Sequence, residues 1–126
     1  MSQNFTLLGP PRTKKNSGII STRGRPRILP SAAFTAWNRI AQMQLARIRA
    51  DALGPLPFTV PVNVKAHFYR EKNIGDAVGY YQALADALEE GGIVENDRLI
   101  ERWDGSRLMK DSERPRVEVW IEEIYA

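Results

Sequence analysis

The chain has 126 residues, 43% of them hydrophobic and 26% charged, a composition typical of one globular domain and not of a disordered chain. It has no cysteine and a single histidine, His67, which excludes disulfide scaffolds, thiol catalysis and multi-histidine metal sites within one chain, and disfavours a Ser-His-Asp triad. No apolar run approaches the ~20 residues of a membrane span, and the N-terminus lacks a signal-peptide layout. We therefore expect a cytoplasmic protein.

Charge is unevenly distributed along the chain. Residues 1–50 contain nine basic side chains and no acidic one, whereas residues 51–126 contain nine basic and fifteen acidic side chains. A basic half facing an acidic half suits a polyanion that one half binds and that carboxylates in the other half cleave. The alternative is a scattered, solvated set of basic side chains.

Hydrophobic periodicity predicts strands and helices in alternation. In chain order we expect a strand at 5–8, a hairpin of strands at 19–21 and 27–29, a helix from 31 to about 54, a strand at 60–69, a helix at 76–90, a short strand at 99–103, a polar loop at 104–114 and a strand from 117. Ser31 is expected to be the N-cap of the first helix, and Phe34 and Trp37 of this helix are expected in the core. The order predicts a single α+β (two-layer α/β) domain over 1–126, with a mixed sheet and two helices on one face.

Two aspartates flank the second predicted helix. Asp76 lies where a strand and connector meet the helix, and Asp97 follows the Gly91-Gly92 stop. The chain can fold back over this length, and converging carboxylates are what Mg²⁺ binds. Taken alone, Asp76 equally suits a helix cap and Asp97 a turn.

Several segments together resemble the RusA family of Holliday junction resolvases, in particular its phage and prophage relatives. These are the Pro-Pro-Arg-Thr-Lys-Lys-Asn segment at 10–16, Phe68-Tyr69-Arg70, Asp86-Ala87-Leu88 followed by Gly92 and Asn96-Asp97, and the late segments 103–107 and 114–118. The order and spacing of these segments agree along most of the chain.

The resemblance implies a Mg²⁺-dependent (or Mn²⁺-dependent) homodimeric endonuclease. Such an enzyme hydrolyses phosphodiester bonds by paired symmetric nicks in four-way DNA junctions during recombination and repair, and a two-fold dimer suits the two-fold character of the junction. The resemblance makes Asp76 and Asp97 the catalytic metal ligands. It implies no membrane association and no organic cofactor.

The chain departs from the family pattern in the metal-site motif. Val78 stands in the position of the second acid, Gly79 in that of an asparagine, and Gln82 in that of a lysine, while Asn96 replaces the first acid of the later pair. Possible substitute ligands are three acids in or beside loops, namely Glu71, Glu95 and Asp104. Asp86 lies ten helical residues from Asp76, about 15 Å along the axis, so it is expected to form a structural hydrogen bond instead.

DNA-backbone contacts are expected from the polar segment after the first strand and from the end of the 60–69 strand. The candidates are Arg12, Lys14, Lys15, Asn16, Arg70 and Lys72, because basic and amide side chains neutralise or donate to phosphates. Arg23, Arg25 and Arg27 on the hairpin come next. Two further interpretations stay open: a branched-DNA-binding protein that has lost catalysis, and a domain whose basic half binds a protein or another anion.

Overall fold

The computed structural model describes residues 1–14, 19–21, 27–29 and 31–125 of the chain. The elements within these residues are β1 (Ser2–Leu8), β2 (Ile19–Ser21), β3 (Arg27–Leu29), α1 (Ala32–Asp51), β4 (Val62–Arg70), α2 (Ala77–Glu90), a one-turn 3₁₀ helix (Asp97–Leu99), β5 (Ile100–Arg102), β6 (Arg107–Lys110) and β7 (Arg116–Glu123). A mixed sheet of five strands with two helices is an α+β fold, as the sequence predicts.

The sheet is built around β4 and β7, which pair in antiparallel fashion. On the other side of β7 lies β1, also antiparallel, and it forms one edge of the sheet. The other edge of β4 is shared by two short parallel strands, β5 at its beginning and β6 at its end. The predicted hairpin is confirmed as a separate antiparallel pair of β2 and β3.

One face of the sheet carries the hydrophobic core. Along β4 the side chains of Val62, Val64, Ala66 and Phe68 are buried, while those between them are only partly covered, so the strand alternates as its sequence predicts. The same core includes the buried faces of α1 and α2, with Phe34 and Trp37 among them. Both helices therefore pack on one face, and the described residues leave the other face of the sheet open.

Side-chain caps fix where the helices begin. The Ser31 hydroxyl accepts a hydrogen bond from the backbone N–H of Phe34 at 3.0 Å, which confirms the predicted N-cap of α1. This helix ends at Asp51, not near residue 54, because Ala52 adopts an extended backbone. Gly92 follows α2 with a φ of +72°, a conformation that glycine adopts without strain. Neither helix is long and apolar enough to cross a membrane in the part of the chain that the structure describes.

Two predicted boundaries are wrong for reasons of tertiary pairing. The first strand begins at Ser2 and not at residue 5. Residues 2–4 are polar and have no apolar pattern of their own, but they pair with β7, which extends as far as Glu122 opposite Ser2. The predicted polar loop at 104–114 contains β6, which pairs with the last four residues of β4. A four-residue strand rich in charge gives too weak a periodic signal to be recognised without its partner.

Candidate nucleic-acid interface

The segment that follows β1 lies against α2 between Gly79 in its first turn and Asp86. There the Lys14 ammonium donates to the Asp86 carboxylate at 2.5 Å, and the Arg12 guanidinium donates to the carboxylate of Glu71, just beyond β4. Between them, Thr13 packs against Gly79, where an added Cβ would lie 3.1 Å from the Thr13 methyl group. The absence of a side chain at Gly79 thus permits the close approach of this segment to the helix.

This path places Arg12 at the carboxyl end of β4, beside Glu71, and Lys14 further along α2, beside Asp86. We call the charged residues along this path and around the end of β4 the β4-end surface, and its members are Arg12, Lys14, Arg70, Glu71, Lys72, Asp76 and Asp86. Lys72 and Asp76 are exposed, and the other members are partly exposed. Basic and acidic groups here lie side by side, and the acids neutralise part of the positive field.

The two ion pairs of this surface are open to exchange. The side chains of Arg12 and Glu71 are 29% and 37% exposed, and those of Lys14 and Asp86 are 39% and 33% exposed. Solvent-exposed pairs of this kind contribute only about 0–1 kcal/mol to stability. A phosphate group can therefore replace the carboxylate partner of either cation at small cost to the fold.

Arg70 has a structural part in this surface. Its guanidinium donates to the backbone carbonyl oxygens of Ile74 at 3.1 Å and Met109 at 3.4 Å, and so ties the connector after β4 to β6. The hydroxyl of Tyr80 donates to the same Ile74 carbonyl at 2.7 Å, and burial raises the pKa of this tyrosine. These bonds hold the connector against α2 and thereby position Glu71 and Lys72.

Asp76 is the N-cap of α2. Its carboxylate accepts a hydrogen bond from the backbone N–H of Gly79 at 3.0 Å, and it is exposed to solvent. The capping interpretation of this residue is therefore confirmed, and any metal bound by Asp76 has to share the carboxylate with the helix end.

Asp76→Asn is expected to leave the stability of the protein nearly unchanged, whereas Asp76→Ala lowers the free energy of unfolding by about 1 kcal/mol, because asparagine caps a helix as well as aspartate and alanine does not. Urea denaturation of the two variants and the wild type measures the difference. Equal stabilities for all three proteins would contradict the cap. The asparagine variant is consequently the one suited to tests of function.

Asp97 lies at the opposite end of α2. Its backbone N–H donates to the carboxylate of Glu89 at 2.7 Å, in the last turn of the helix. Thirteen residues separate Glu89 from Asp76, which corresponds to roughly 20 Å along the helix axis. The expectation that one chain folds back to bring Asp76 and Asp97 together is therefore wrong, because a continuous helix holds them apart.

The possible substitute ligands are divided between these two ends. Glu71 shares the β4-end surface with Asp76. Glu95 and Asp104 lie near the beginning of β4, where the Glu95 N–H donates to the Phe58 carbonyl at 2.9 Å and the Asp104 N–H donates to the Asn63 side chain at 2.9 Å. Across the described ranges, no three carboxylate or imidazole side chains converge closely enough to hold a metal ion.

Sequence reasoning missed the partners of the basic side chains. Asp86 makes a structural hydrogen bond, as expected, but its partner Lys14 is 72 residues away in the sequence and was not predicted, because no local pattern indicates it. The one signal in the sequence for this contact is Gly79 in the first turn of α2, because a glycine there lets another segment of backbone approach the helix closely. Four predicted phosphate contacts, Lys15, Asn16, Arg23 and Arg25, lie outside the described residues.

The arrangement as a whole suits the binding of phosphate groups along a surface. It offers cations whose present partners are exposed carboxylates, a rigid connector, and a capped helix end behind them. Comparison with models of known protein families and with curated proteins found no match to this chain.

Proposed function

We propose that this protein binds branched DNA through the β4-end surface and acts, as a homodimer, as a Mg²⁺-dependent endonuclease that resolves four-way junctions. The proposal places it in DNA recombination and repair, in the cytoplasm of a bacterial or phage-infected cell. The observation that supports it is the path of residues 10–14 along α2, which pairs Arg12 with Glu71 and Lys14 with Asp86.

Phosphate binding is the part of the proposal that the contacts support best. Arg12 and Lys14 already engage carboxylates, and phosphate oxygens are acceptors of the same kind that arginine and lysine recognise. Contacts of this type act on the backbone and not on base edges. Binding is therefore expected to depend on the shape of the DNA and to weaken steeply with salt.

The cleavage part of the proposal needs two copies of the chain. Because Asp76 and Asp97 lie roughly 20 Å apart along α2, one ion can contact both carboxylates only if they come from different protomers. A homodimer related by a two-fold axis offers two such sites, one for each of two opposed strands of a junction.

A second candidate function is branched-DNA binding without cleavage. It is favoured by Val78, which is 68% exposed on the first turn of α2, where the resemblance places a metal-binding acid. An exposed valine offers no ligand to a cation. In this candidate the β4-end surface keeps its phosphate contacts and the carboxylates serve only as a helix cap and as ion-pair partners.

A cleavage assay on a synthetic four-way junction separates the two candidates. In Mg²⁺ or Mn²⁺ the wild type is expected to make paired nicks, and Asp76→Asn and Asp97→Asn are each expected to abolish them while junction binding persists. Glu90→Gln serves as the control, since Glu90 is exposed at the far end of α2 and belongs to neither set of predicted ligands.

The outcomes have distinct meanings. An intact junction that the wild type nevertheless binds would establish the non-cleaving candidate. Nicks that survive in both aspartate variants would remove Asp76 and Asp97 as ligands. If the two inactive variants regain nicking when they are mixed, the ligands come from different protomers.

A further inference from the structure

The open face of the sheet carries aromatic side chains on its two central strands. His67 and Tyr69 alternate with the buried residues of β4, and Trp120 alternates with the buried residues of β7. Trp120 is paired with Lys65, so it lies on the same face as the other two rings. We call this group the open-face surface, and its members are Lys65, His67, Tyr69, Arg107, Arg116 and Trp120.

Trp120 is held in a fixed orientation on this surface. The His67 ring meets it edge-on, with 4.9 Å between the ring centroids and 63° between the planes. The His67 ring is fixed in turn, since its Nε2 lies 3.2 Å from the Gly105 carbonyl oxygen. Trp120 and Lys65 border a cleft of about 1210 Å³, so the indole is accessible from solvent. An indole that is both oriented and accessible is suited to stack on a planar ligand.

Two cations of the open-face surface are available to an anion. Arg116 is engaged with the carboxylates of Asp111 and Glu118, at 3.0 and 3.2 Å. Lys65 and Arg107, by contrast, have no carboxylate partner among the described residues. Arg107 is exposed and stands in register with His67, on the side of β4 away from Trp120.

The acids of the open face lie to one side of these two cations. Glu118 is already paired with Arg116, and Glu122 lies opposite Asn63 at the beginning of β4. The positive charge of the face is therefore concentrated between Lys65 and Arg107. A chain of phosphates is complementary to this part of the sheet.

Lys65 can exchange its present contact for a nucleotide. Its ammonium lies over the Trp120 ring, with Nζ 4.4 Å from the centroid. An exposed cation–π contact contributes less than the stacking of a nucleobase on an aromatic ring. A base that takes the place of the ammonium on Trp120 is therefore favoured, and the released ammonium stays beside the base, where it binds a phosphate.

We infer that the open-face surface binds single-stranded DNA, with a base stacked on Trp120 and phosphates on Lys65 and Arg107. The ligand is an unpaired strand, because the bases of a duplex stack on one another and do not offer their faces. The site is separate from the β4-end surface, since α2 packs on the opposite face of the sheet. The inference therefore goes beyond the proposed junction binding and does not rest on it.

Fluorescence anisotropy with a labelled oligothymidine of about 12 nucleotides tests this inference. Trp120→Ala is expected to raise the dissociation constant by about tenfold or more, because one stacking contact is lost, whereas Trp120→Phe retains most of the affinity. Lys65→Gln is expected to make the slope of log affinity against log salt concentration shallower by about 1. Thermal unfolding of each variant checks that the fold is retained.

Trp103→Ala is the matched control. Trp103 stacks on Tyr81 of α2, with 4.6 Å between the ring centroids, and packs against the core on the helix side of the sheet. Its removal is therefore expected to leave the affinity for oligothymidine nearly unchanged.

The results that overturn the inference are specific. A wild type that does not bind the oligothymidine would do so, and so would equal affinities for the wild type and Trp120→Ala. Junction binding by Trp120→Ala, measured in parallel, is expected to match that of the wild type, because the β4-end surface is intact. A failure of this site is thus distinguishable from a failure of the proposed function.

Discussion

Arg12→Gln combined with Lys14→Gln is expected to lower the affinity for a four-way DNA junction by about one to two orders of magnitude at moderate salt, because two phosphate contacts are lost. The loss also leaves Glu71 and Asp86 without their cations, so two carboxylates then face the DNA backbone. For the same reason the slope of log affinity against log salt concentration is expected to become shallower by about 2. A titration by electrophoretic shift at several salt concentrations measures both quantities.

A matched control keeps the net charge change the same. Arg39→Gln combined with Arg49→Gln removes two exposed basic side chains from α1, away from the β4-end surface, and is expected to change affinity and salt slope far less. If the two double variants lose affinity equally, binding follows net charge alone and the β4-end surface has no special part in it.

Phe68→Ala is expected to lower the free energy of unfolding by about 3–5 kcal/mol, because Phe68 is 1% exposed and its removal leaves a cavity between β4 and α2. Its ring lies 5.4 Å from that of Tyr80 and 5.9 Å from that of Tyr81, so it also joins the strand to the helix whose first turn carries Asp76. For a domain of this size the loss corresponds to a fall of roughly 10–20 °C in Tm.

The neighbouring position provides the comparison for this substitution. Tyr69 points to the open face of the sheet, where the Arg116 guanidinium lies 3.7 Å from its ring, and it is only partly buried. Tyr69→Ala is therefore expected to cost much less than Phe68→Ala in calorimetry. Similar losses at both positions would contradict a core confined to one face of the sheet.

Much of the fold could be predicted because its strongest elements are also its most periodic ones. The alternation along β4, the apolar stripe of α2 and the caps at Ser31 and Asp76 are local signals, and each is read from fewer than twenty residues. Strand β6 could not be found in this way, because its four residues have no periodic pattern and become a strand by pairing with β4.

The candidate site was predicted only in part for the same physical reason. Local patterns identified Arg12 and Lys14 as surface cations, but their carboxylate partners are 59 and 72 residues away in the sequence. The separation of Asp76 from Asp97 depends on α2 being one continuous helix, so that the distance between its ends exceeds the reach of both side chains.

Equilibrium binding of the wild type to a four-way junction and to a linear duplex of equal length, at about 150 mM salt, tests the central claim most directly. The account predicts tighter binding to the junction, and a further gain in affinity for Glu71→Gln, which frees Arg12, but not for Glu90→Gln at the other end of α2. Equal affinity for the two DNA forms, together with no gain for Glu71→Gln, would contradict the claim that this surface binds branched DNA.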